Sequence, residues 1–285
     1  MISYKKVLIL GSNSFSGNNF VNFSLSKGKK VIGISRSNEV KKPMSSYFTN
    51  KNKKNFKFYK LDINKNLDKF IKITKSFKPE VIINYSAQGD VRHSWKDPKQ
   101  WYETNCMGVV NYTSELLNCK FIKKYISIST PEVYGSNPKE IIENNNFNPS
   151  TPYAASKLAG DLHLMTLFKK YNFPVLFTRS SNVYGPHQQL YRIIPKTIIK
   201  IKLNQVIHLH GRGKGKRDFI DISDVNEAIN LLIKKGKNGD SYNVANKGNL
   251  ISILELVNKI CSIMKVNNTK KIINFVDENF CQDNI

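Results

Sequence analysis

The sequence predicts an α/β protein built on a doubly wound parallel sheet, followed by a smaller C-terminal lobe. Over the first 180 residues, short β-branched segments alternate with helix-length amphipathic segments. Strands that are buried on both faces appear as continuous apolar runs, as "VLIL" and "VIIN" do here. After residue 185 the alternation gives way to shorter segments and a glycine-rich turn, "GRGKG". This change of pattern predicts the second lobe.

The first part of the chain supplies most of the predicted sheet. Its strands are expected at Lys6–Leu10, Lys30–Ser35, Phe56–Leu61, Val81–Asn84, Tyr125–Ser129 and Val175–Arg179. Its longest helices are expected at Pro98–Asn118 and Pro152–Tyr171. The Lys/Asn-rich segment Ser37–Asn55 is expected to be an exposed loop with at most one short helix.

The second part has fewer and shorter elements. Predicted helices are Ile193–Lys202, Asp224–Lys235 and Ile251–Met264, and predicted strands are Val206–Leu209, Asp218–Ile222 and Ser241–Ala245. We therefore expect a larger domain at residues 1–185 and a smaller lobe at residues 186–285, with residues 217–245 partly returning to the larger domain.

Composition excludes several classes of protein. The 285 residues are 40% hydrophobic and 23% charged, which is typical of globular chains and argues against disorder. The formal charge is +24, but the lysines are spread along the whole chain among many asparagines. No basic block is interleaved with stacking aromatics, so we predict no nucleic-acid partner. An anionic small substrate remains compatible with this charge.

The cysteines point to a reducing compartment. Cys106, Cys119, Cys261 and Cys281 show no CxxC spacing, which excludes a zinc ribbon and a disulfide-stapled scaffold. The histidines likewise show no metal-ligand spacing, and we expect no metal site. No apolar run approaches the roughly 18 residues of a membrane span, and the N-terminus leads into a strand instead of a signal peptide. A cytoplasmic protein without membrane contact is therefore expected.

A glycine-containing turn follows the first strand in "VLILGSNSFSGNNF". Glycines at such a turn let the backbone approach a pyrophosphate, whose charge is stabilised by the N-terminus of the next helix. The spacing is that of GxxGxxG with a serine in the middle. The residues expected to bind a dinucleotide here are Gly11, Asn13, Ser14, Phe15, Ser16 and Gly17.

The end of the second strand bears on the choice of dinucleotide. A free ribose 2′-hydroxyl usually meets an Asp or Glu at this point, whereas a 2′-phosphate needs a cation. The chain has Ser35 and Arg36 here, which predicts NADP in preference to NAD. Asp62, at the end of the third strand in "KLDI", is placed to accept a hydrogen bond from the adenine amino group.

A tyrosine and a lysine stand one helical turn apart in "TPYAASK". Tyr153 and Lys157 share a helix face because residues at i and i+4 are neighbours. A phenol with a pKa of ~10 is a poor base at neutral pH. A neighbouring ammonium stabilises the phenolate and is expected to lower that pKa. Lys157 is also placed to hold the ribose hydroxyls of the dinucleotide, so both residues are predicted to be catalytic and cofactor-binding.

Two further polar residues follow the fifth strand in "SISTPEVYG". Ligands of doubly wound sheets bind beyond the carboxyl ends of the strands, where Thr130 places a hydroxyl. Glu132, two residues later, can point into the same crevice and serve as a general base. Thr130 and Glu132 are therefore predicted to be catalytic, and Thr130 also to contact the substrate.

Taken together, these motifs resemble the extended short-chain dehydrogenases/reductases, specifically the nucleotide-sugar epimerases and dehydratases. The resemblance rests on "GSNSFSG", "LDI", "NYSAQGDVRHSWKDP", "YETNCMG", "STPEVYG", "YAASK", "SSNVYGP" and "KRDFIDISDV". It implies a Rossmann-type domain for residues 1–185 and a nucleotide-sugar-binding lobe for residues 186–285. It also implies NAD or NADP that stays tightly bound and is regenerated in each turnover, and a homodimer formed through helices 98–118 and 152–171.

The resemblance also implies roles for individual residues. Ile63, Ala87 and Asn105 would contact the cofactor, and Ser94 and Asn105 would line the pocket between sugar and nicotinamide. Asn182 and Arg217 would bind the diphosphate, and Arg192 would also contact the substrate.

Within the family, the Thr-x-Glu pattern most resembles dTDP-glucose and GDP-mannose 4,6-dehydratases and UDP-glucuronate decarboxylases. The resemblance implies oxidation at carbon 4, loss of water across carbons 5 and 6, and hydride return, giving a 4-keto-6-deoxy sugar. Two positions depart from the dTDP-glucose type: Pro131 replaces the acidic residue that protonates the leaving hydroxide, and Asp90 stands where a histidine is common. The chain also ends without the usual Arg/Tyr-rich substrate loop, which leaves the nucleotide and the completeness of the chain open.

Other activities remain open at this point. A 4-epimerase would need only Tyr153, Lys157 and Thr130, and a UDP-glucuronate decarboxylase would share the Thr-x-Glu pattern. A non-catalytic nucleotide- or RNA-binding protein with the same fold is the most remote alternative.

Overall fold

The computed structural model describes residues 2–135, 140–248, 250–269 and 272–276. Its strands are β1 (Lys6–Leu10), β2 (Lys30–Ser35), β3 (Phe56–Lys60), β4 (Val81–Asn84), β5 (Lys124–Ile128), β6 (Val175–Ser180), β7 (Asn182–Tyr184), β8 (Ile207–His210), β9 (Lys216–Arg217), β10 (Phe219–Asp221), β11 (Ser241–Val244), β12 (Ile251–Ser252) and β13 (Ile273–Val276).

The helices cover both faces of the largest sheet and part of the smaller lobe. They are α1 (Phe15–Ser26), α2 (Leu67–Phe77), α3 (Val91–Lys96), α4 (Pro98–Tyr102), α5 (Gly108–Leu116), α6 (Pro152–Tyr171), α7 (Ile193–Lys202), α8 (Ile222–Lys235) and α9 (Ile253–Ile263). A π-helical turn, Glu103–Met107, joins α4 to α5.

Seven parallel strands form the central sheet in the order β11–β6–β5–β4–β1–β2–β3. Alternate residues of β1 point to opposite faces: Val7 and Ile9 pack with α1 and α8, while Leu8 and Leu10 pack with α2, α5 and α6. This confirms the doubly wound parallel sheet. The strand order reverses between β1 and β4, which is where such sheets open a ligand crevice at their carboxyl edge.

The smaller lobe consists of short strand pairs and two helices. β8 pairs with β13, and β9 pairs with β12. Its core contains Ile207 and Leu209 from β8 with Val257 and Cys261 from α9. β11 returns to the central sheet and pairs with β6. The boundary at residue 185 stays a prediction.

Most predicted elements match the structure to within two residues, and α6 has the predicted bounds. The predicted helix Pro98–Asn118 instead consists of α4, the π-turn and α5, and it ends at Leu116. The expectation of an exposed loop with one short helix at Ser37–Asn55 is wrong in two respects: the segment contains two 3-10 turns, Lys42–Met44 and Lys53–Asn55, and its middle is buried. Tyr47 is buried there, with its ring 4.6 Å from that of Phe56 and its hydroxyl donating to Glu39. None of the helices in the described ranges is long and apolar enough to cross a membrane.

Close packing of α6 on the π-turn should make Gly160 sensitive to substitution. A Cβ at Gly160 would lie 2.3 Å from the carbonyl oxygen of Asn105, so the two segments would have to move apart. We expect Gly160→Ala to lower the free energy of unfolding by about 1–3 kcal/mol. Gly89→Ala is the control, because a Cβ there meets nothing within 4 Å. Equal denaturation midpoints for the two variants would contradict the prediction.

Candidate active site

The turn after β1 leaves no room for side chains at its glycines. Gly11 has a positive φ of 73°, and a Cβ on it would lie 2.6 Å from the backbone nitrogen of Ser86. A Cβ on Gly17 would lie 2.4 Å from the carbonyl oxygen of Gly11. Ser14 caps α1 by accepting a hydrogen bond from the Gly17 N–H at 3.1 Å. Together with the N–H groups of Phe15 and Ser16 at the start of α1, the turn forms a cradle for a pyrophosphate.

Hydroxyl and amide groups connect this turn to the end of β2. The Asn13 backbone N–H donates to Ser35 Oγ at 3.0 Å, and its side-chain amide donates to Ser37 Oγ at 2.8 Å. The Asn13 carbonyl oxygen Oδ1 is buried and has no hydrogen-bond partner among the described residues. Arg36 is exposed beside this network. An orphaned acceptor next to a glycine cradle fits a bound dinucleotide.

The other predicted cofactor residues follow β3 and β4 or lie in the π-turn. Asp62 Oδ1 accepts the Asn64 backbone N–H at 3.1 Å within its own turn, and Ile63 packs against the core. Ala87 is exposed just beyond β4. Asn105 is buried in the π-turn, where its amide bonds to the backbone of Gln88 and to Ser156. Asn105 therefore holds the loop after β4 against α6 in this structure.

The catalytic candidates on α6 are positioned by the start of that helix. Thr151 caps α6 by accepting the Ala154 N–H at 3.1 Å, and Pro152 occupies the first helical position. Tyr153 and Lys157 follow one turn apart, as predicted. The ammonium of Lys157 is buried and donates to the Ile128 carbonyl at the end of β5 at 2.8 Å.

The environment of Tyr153 differs from the expectation. Burial, together with the nearby Glu132 carboxyl, raises the pKa of the phenol to about 12. The groups that lower this pKa are the Thr130 hydroxyl, through a hydrogen bond, and the Arg192 guanidinium. The Lys157 ammonium is not among the groups that lower this pKa, and its effect on the phenol stays a prediction. The Lys157 ammonium is engaged with the Ile128 carbonyl instead.

Glu132 stands in a short 3-10 turn, Pro131–Tyr134, that follows β5. Thr130 caps this turn by accepting the Glu132 backbone N–H at 3.3 Å. Glu132 Oε2 is buried and has no hydrogen-bond partner within the part of the chain that the structure describes. Burial raises the pKa of the carboxyl to about 7, while Arg217 lowers it. A carboxyl in this state gains or releases a proton near neutral pH.

Two buried charged residues beneath the site escaped the sequence analysis. Asp161 lies one turn after Lys157 on α6, and its carboxylate accepts hydrogen bonds from Ser127 and Ser129 of the β5 end. Arg179 on β6 donates to the Tyr134 hydroxyl, with its guanidinium 4.8 Å from the centre of that ring. The repeated four-residue spacing of Tyr153, Lys157 and Asp161 is the signal that could have revealed Asp161.

The structure brings two of the four remaining predicted substrate residues near the catalytic candidates. Arg192 is the residue before α7, and Arg217 lies in β9. Arg192 lowers the pKa of Tyr153 and Arg217 lowers the pKa of Glu132, so both guanidinium groups lie near the catalytic candidates. The Asn182 amide donates to the Asp218 carbonyl at 3.2 Å. Ser94 is buried and its hydroxyl donates to Val91 within α3, so its contact with a substrate stays a prediction.

A family model connects this geometry to known proteins. The model of the NAD dependent epimerase/dehydratase family matches residues 7–245 of this chain. This chain belongs to that family. The match spans the glycine turn, the catalytic candidates on α6 and the return of the chain to the central sheet at β11.

Individual members of the family share its sequence and fold. A dTDP-D-glucose 4,6-dehydratase of Bos taurus is 34% identical over 229 residues, which are 79% of this chain and 63% of that protein. The chain thus spans less than two thirds of the length of this curated relative. A dTDP-glucose 4,6-dehydratase of Bacillus anthracis, solved in complex with NAD, superimposes with a TM-score of 0.84 at 28% identity, covering 96% of this chain and 85% of that one.

Epimerases are similar to this chain as well. A UDP-N-acetylglucosamine 4-epimerase of Methanobrevibacter ruminantium, in complex with UDP-N-acetylmuramic acid, has a TM-score of 0.85 at 28% identity. The alignment covers 97% of this chain and 86% of the epimerase.

Within the described ranges no group of three or more His, Cys, Asp or Glu side chains is arranged to hold a metal ion.

The raised pKa of Glu132 should appear in the stability of the protein. The pKa of this carboxyl is about 4.5 in the unfolded chain and about 7 in the folded protein. Its contribution to the free energy of unfolding is therefore fully present below about pH 4.5 and is lost as the pH rises through about 7. Glu132→Gln stays neutral, so we expect its melting temperature relative to the wild type to be higher at about pH 8 than at about pH 5.

The exposed Glu115 on α5 provides a matched control. Glu115→Gln should change the melting temperature by the same amount at both pH values. A Glu132→Gln effect that is also independent of pH would contradict the burial of this carboxyl.

Proposed function

We propose that the chain is a nucleotide-sugar 4,6-dehydratase that forms a 4-keto-6-deoxy sugar nucleotide. The observation that carries this proposal is the Glu132 carboxyl, which is buried beside Tyr153 and has a pKa of about 7. An enzyme that only oxidises and reduces carbon 4 has no use for a second acid-base group at this point. The similarity to dTDP-glucose 4,6-dehydratases supports the same reaction.

Each catalytic side chain has a defined task in this proposal. When bound, NAD or NADP would accept a hydride from carbon 4 and return it to carbon 6. Thr130 orients the hydroxyl at carbon 4, and Tyr153 takes its proton as the phenolate, the form that the Lys157 ammonium would stabilise. The resulting ketone acidifies the hydrogen on carbon 5, which Glu132 removes. Glu132 or water then supplies the proton that the departing hydroxyl of carbon 6 requires, since Pro131 cannot donate one. Carbon 5 is protonated as the hydride returns to carbon 6, and the proton that Tyr153 took from the carbon 4 hydroxyl balances this step.

The predicted domains divide the binding work. The glycine cradle at residues 11–17 and the end of β2 would hold the dinucleotide within residues 1–185. The cations of the 186–285 lobe, Arg192 and Arg217, face the catalytic candidates and would bind the sugar nucleotide and its diphosphate. Lys157 would hold the ribose of the cofactor.

Quaternary structure and location are also part of the proposal. We propose a homodimer formed through helices 98–118 and 152–171. Its support is a set of apolar side chains on these helices that are 41–58% exposed, namely Tyr102, Met107, Leu162 and Tyr171. The free cysteines Cys106, Cys119 and Cys261 agree with a cytoplasmic location.

A 4-epimerase is the second candidate, since such an enzyme superimposes on this chain. Substitution of Glu132 separates the two reactions. For a dehydratase we expect Glu132→Gln to lower kcat by ~10²–10⁴-fold, the usual contribution of a general acid-base. An epimerase should be nearly unaffected, because its hydride and proton transfers occur at carbon 4.

The measurement is product mass after incubation of each variant with a panel of nucleotide sugars. Loss of water identifies the dehydratase, loss of carbon dioxide a decarboxylase, and an unchanged mass with altered chromatographic mobility an epimerase. Tyr153→Phe is the control that should abolish all three reactions. Water loss that survives in Glu132→Gln would refute the assigned role of the carboxyl.

We further propose that the chain prefers NADP to NAD. Arg36 is exposed at the end of β2, where Ser35 stands instead of an acidic residue. A charged hydrogen bond is worth ~1.5–3 kcal/mol, so Arg36→Glu should weaken NADP binding by roughly 10–100-fold relative to NAD. Titration with both cofactors measures this ratio.

Lys41→Glu makes the same charge change at an exposed site five residues along the chain and should leave the ratio unchanged. A wild-type protein that binds NAD more tightly than NADP would contradict the preference.

A further inference from the structure

A buried carboxylate beneath the catalytic candidates is left without a task by the proposed reaction. Asp161 is 5% exposed, and its two oxygens accept hydrogen bonds from the hydroxyls of Ser127, at 3.0 Å, and Ser129. Such a carboxylate is costly to bury unless cations lie nearby. A purely structural polar residue would need no charge at this position.

Two buried cations surround Asp161. Lys157, 5% exposed, precedes it by one helical turn on α6, and Arg179, 3% exposed, lies on β6. Burial raises the pKa of the Asp161 carboxyl above its ordinary value, and both cations oppose this rise. In return, Asp161 raises the pKa of Lys157, which burial lowers. The carboxylate and the two cations thus form one electrostatic cluster.

The two cations depend on Asp161 to different degrees. The guanidinium of Arg179 already has the hydroxyl and ring of Tyr134 as partners, and the ring of Phe147 lies 5.3 Å away. The ammonium of Lys157 has the Ile128 carbonyl, which provides a dipole but no compensating charge. Arginine also stays protonated in proteins, whereas a buried lysine readily loses its proton. Asp161 therefore matters most for Lys157.

We propose that Asp161 is a positioning residue whose buried carboxylate compensates the charge of Lys157 and holds this ammonium on the Ile128 carbonyl, one turn from Tyr153. The proposal rests on the proposed function only for the use that the reaction makes of Lys157. The charged and titratable groups that face Asp161 are Lys157 and Tyr153 on α6, Arg179 on β6 and Tyr125 on β5.

The test is a denaturation cycle that needs no turnover. In Asp161→Asn, Lys157 becomes an uncompensated buried cation and its pKa falls further below that of an unfolded lysine, ~10.4. The uncompensated charge destabilises the folded variant only where Lys157 is protonated. The loss of folding free energy caused by Asp161→Asn is therefore larger at low pH than at high pH. We expect Asp161→Asn to lower the melting temperature by roughly 5–10 °C at about pH 7 and by clearly less at about pH 10.

Two further variants separate charge from hydrogen bonding. Adding Lys157→Met to Asp161→Asn removes the uncompensated cation and should recover much of the loss at about pH 7. Ser127→Ala is the matched control, because it removes a hydrogen bond to Asp161 and keeps the carboxylate. Its cost should be equal at both pH values.

The proposal is overturned if Asp161→Asn has the same cost at both pH values, or if Lys157→Met brings no recovery. Should Asp161→Asn fail to fold, the double variant is expected to fold, and a double variant that also fails would overturn the proposal. Where a nucleotide sugar is turned over, Asp161→Asn should move the alkaline limb of kcat to lower pH with little change in KM. A protein with no turnover would contradict the proposed function and leave the denaturation result valid.

Discussion

The contact between one face of α6 and the carboxyl end of β5 is the interaction on which the rest of the site depends. Tyr153 and Lys157 project from that face, and the β5 end supplies the Ile128 carbonyl and the Thr130 hydroxyl that meet them. Gly160 allows the same helix to lie directly against the π-turn. Because β5 is a strand of the central sheet and α6 is a regular helix packed on it, the catalytic candidates are held by rigid backbone.

Burial raises the pKa of both acid-base groups, Tyr153 and Glu132, but the consequences differ. It moves the phenol of Tyr153 further from neutrality, and it brings the carboxyl of Glu132 close to neutrality. The opposing cations, Arg192 and Arg217, come from the C-terminal part of the chain. The C-terminal part of the chain therefore contributes to the electrostatics of the catalytic candidates, and its placement on the central sheet affects their pKa values.

Periodicity and end signals made most of the fold predictable. Alternating apolar runs located the central strands, and Pro152 after Thr151 marked the start of α6. Local rules failed where tertiary contacts decide the outcome. No sequence pattern around Tyr47 predicts that its ring packs on Phe56. The π-turn likewise interrupts a sequence that is regular in its helical pattern.

The site shows the same division between local and long-range information. Sequence spacing placed Tyr153 and Lys157 on one helix face, and strand-end logic placed Thr130 and Glu132 near them. The pKa values were beyond such reasoning, because they depend on burial and on cations that arrive from distant segments. Asp161 was missed for a related reason: its spacing is visible in the sequence, but its burial against Ser127 and Ser129 is not.

The pKa of Glu132 matters for the proposed reaction because the residue before it, Pro131, has no proton to donate. An elimination needs one group to remove the proton from carbon 5 and one to protonate the oxygen leaving carbon 6. If separate residues did this work, a strong base and a strong acid would serve best. In the proposed reaction Pro131 cannot donate, so Glu132 can serve both steps only if it releases a proton as readily as it takes one. A carboxyl meets that requirement when its pKa lies near the working pH, which is what burial without a hydrogen-bond partner on Oε2 gives Glu132.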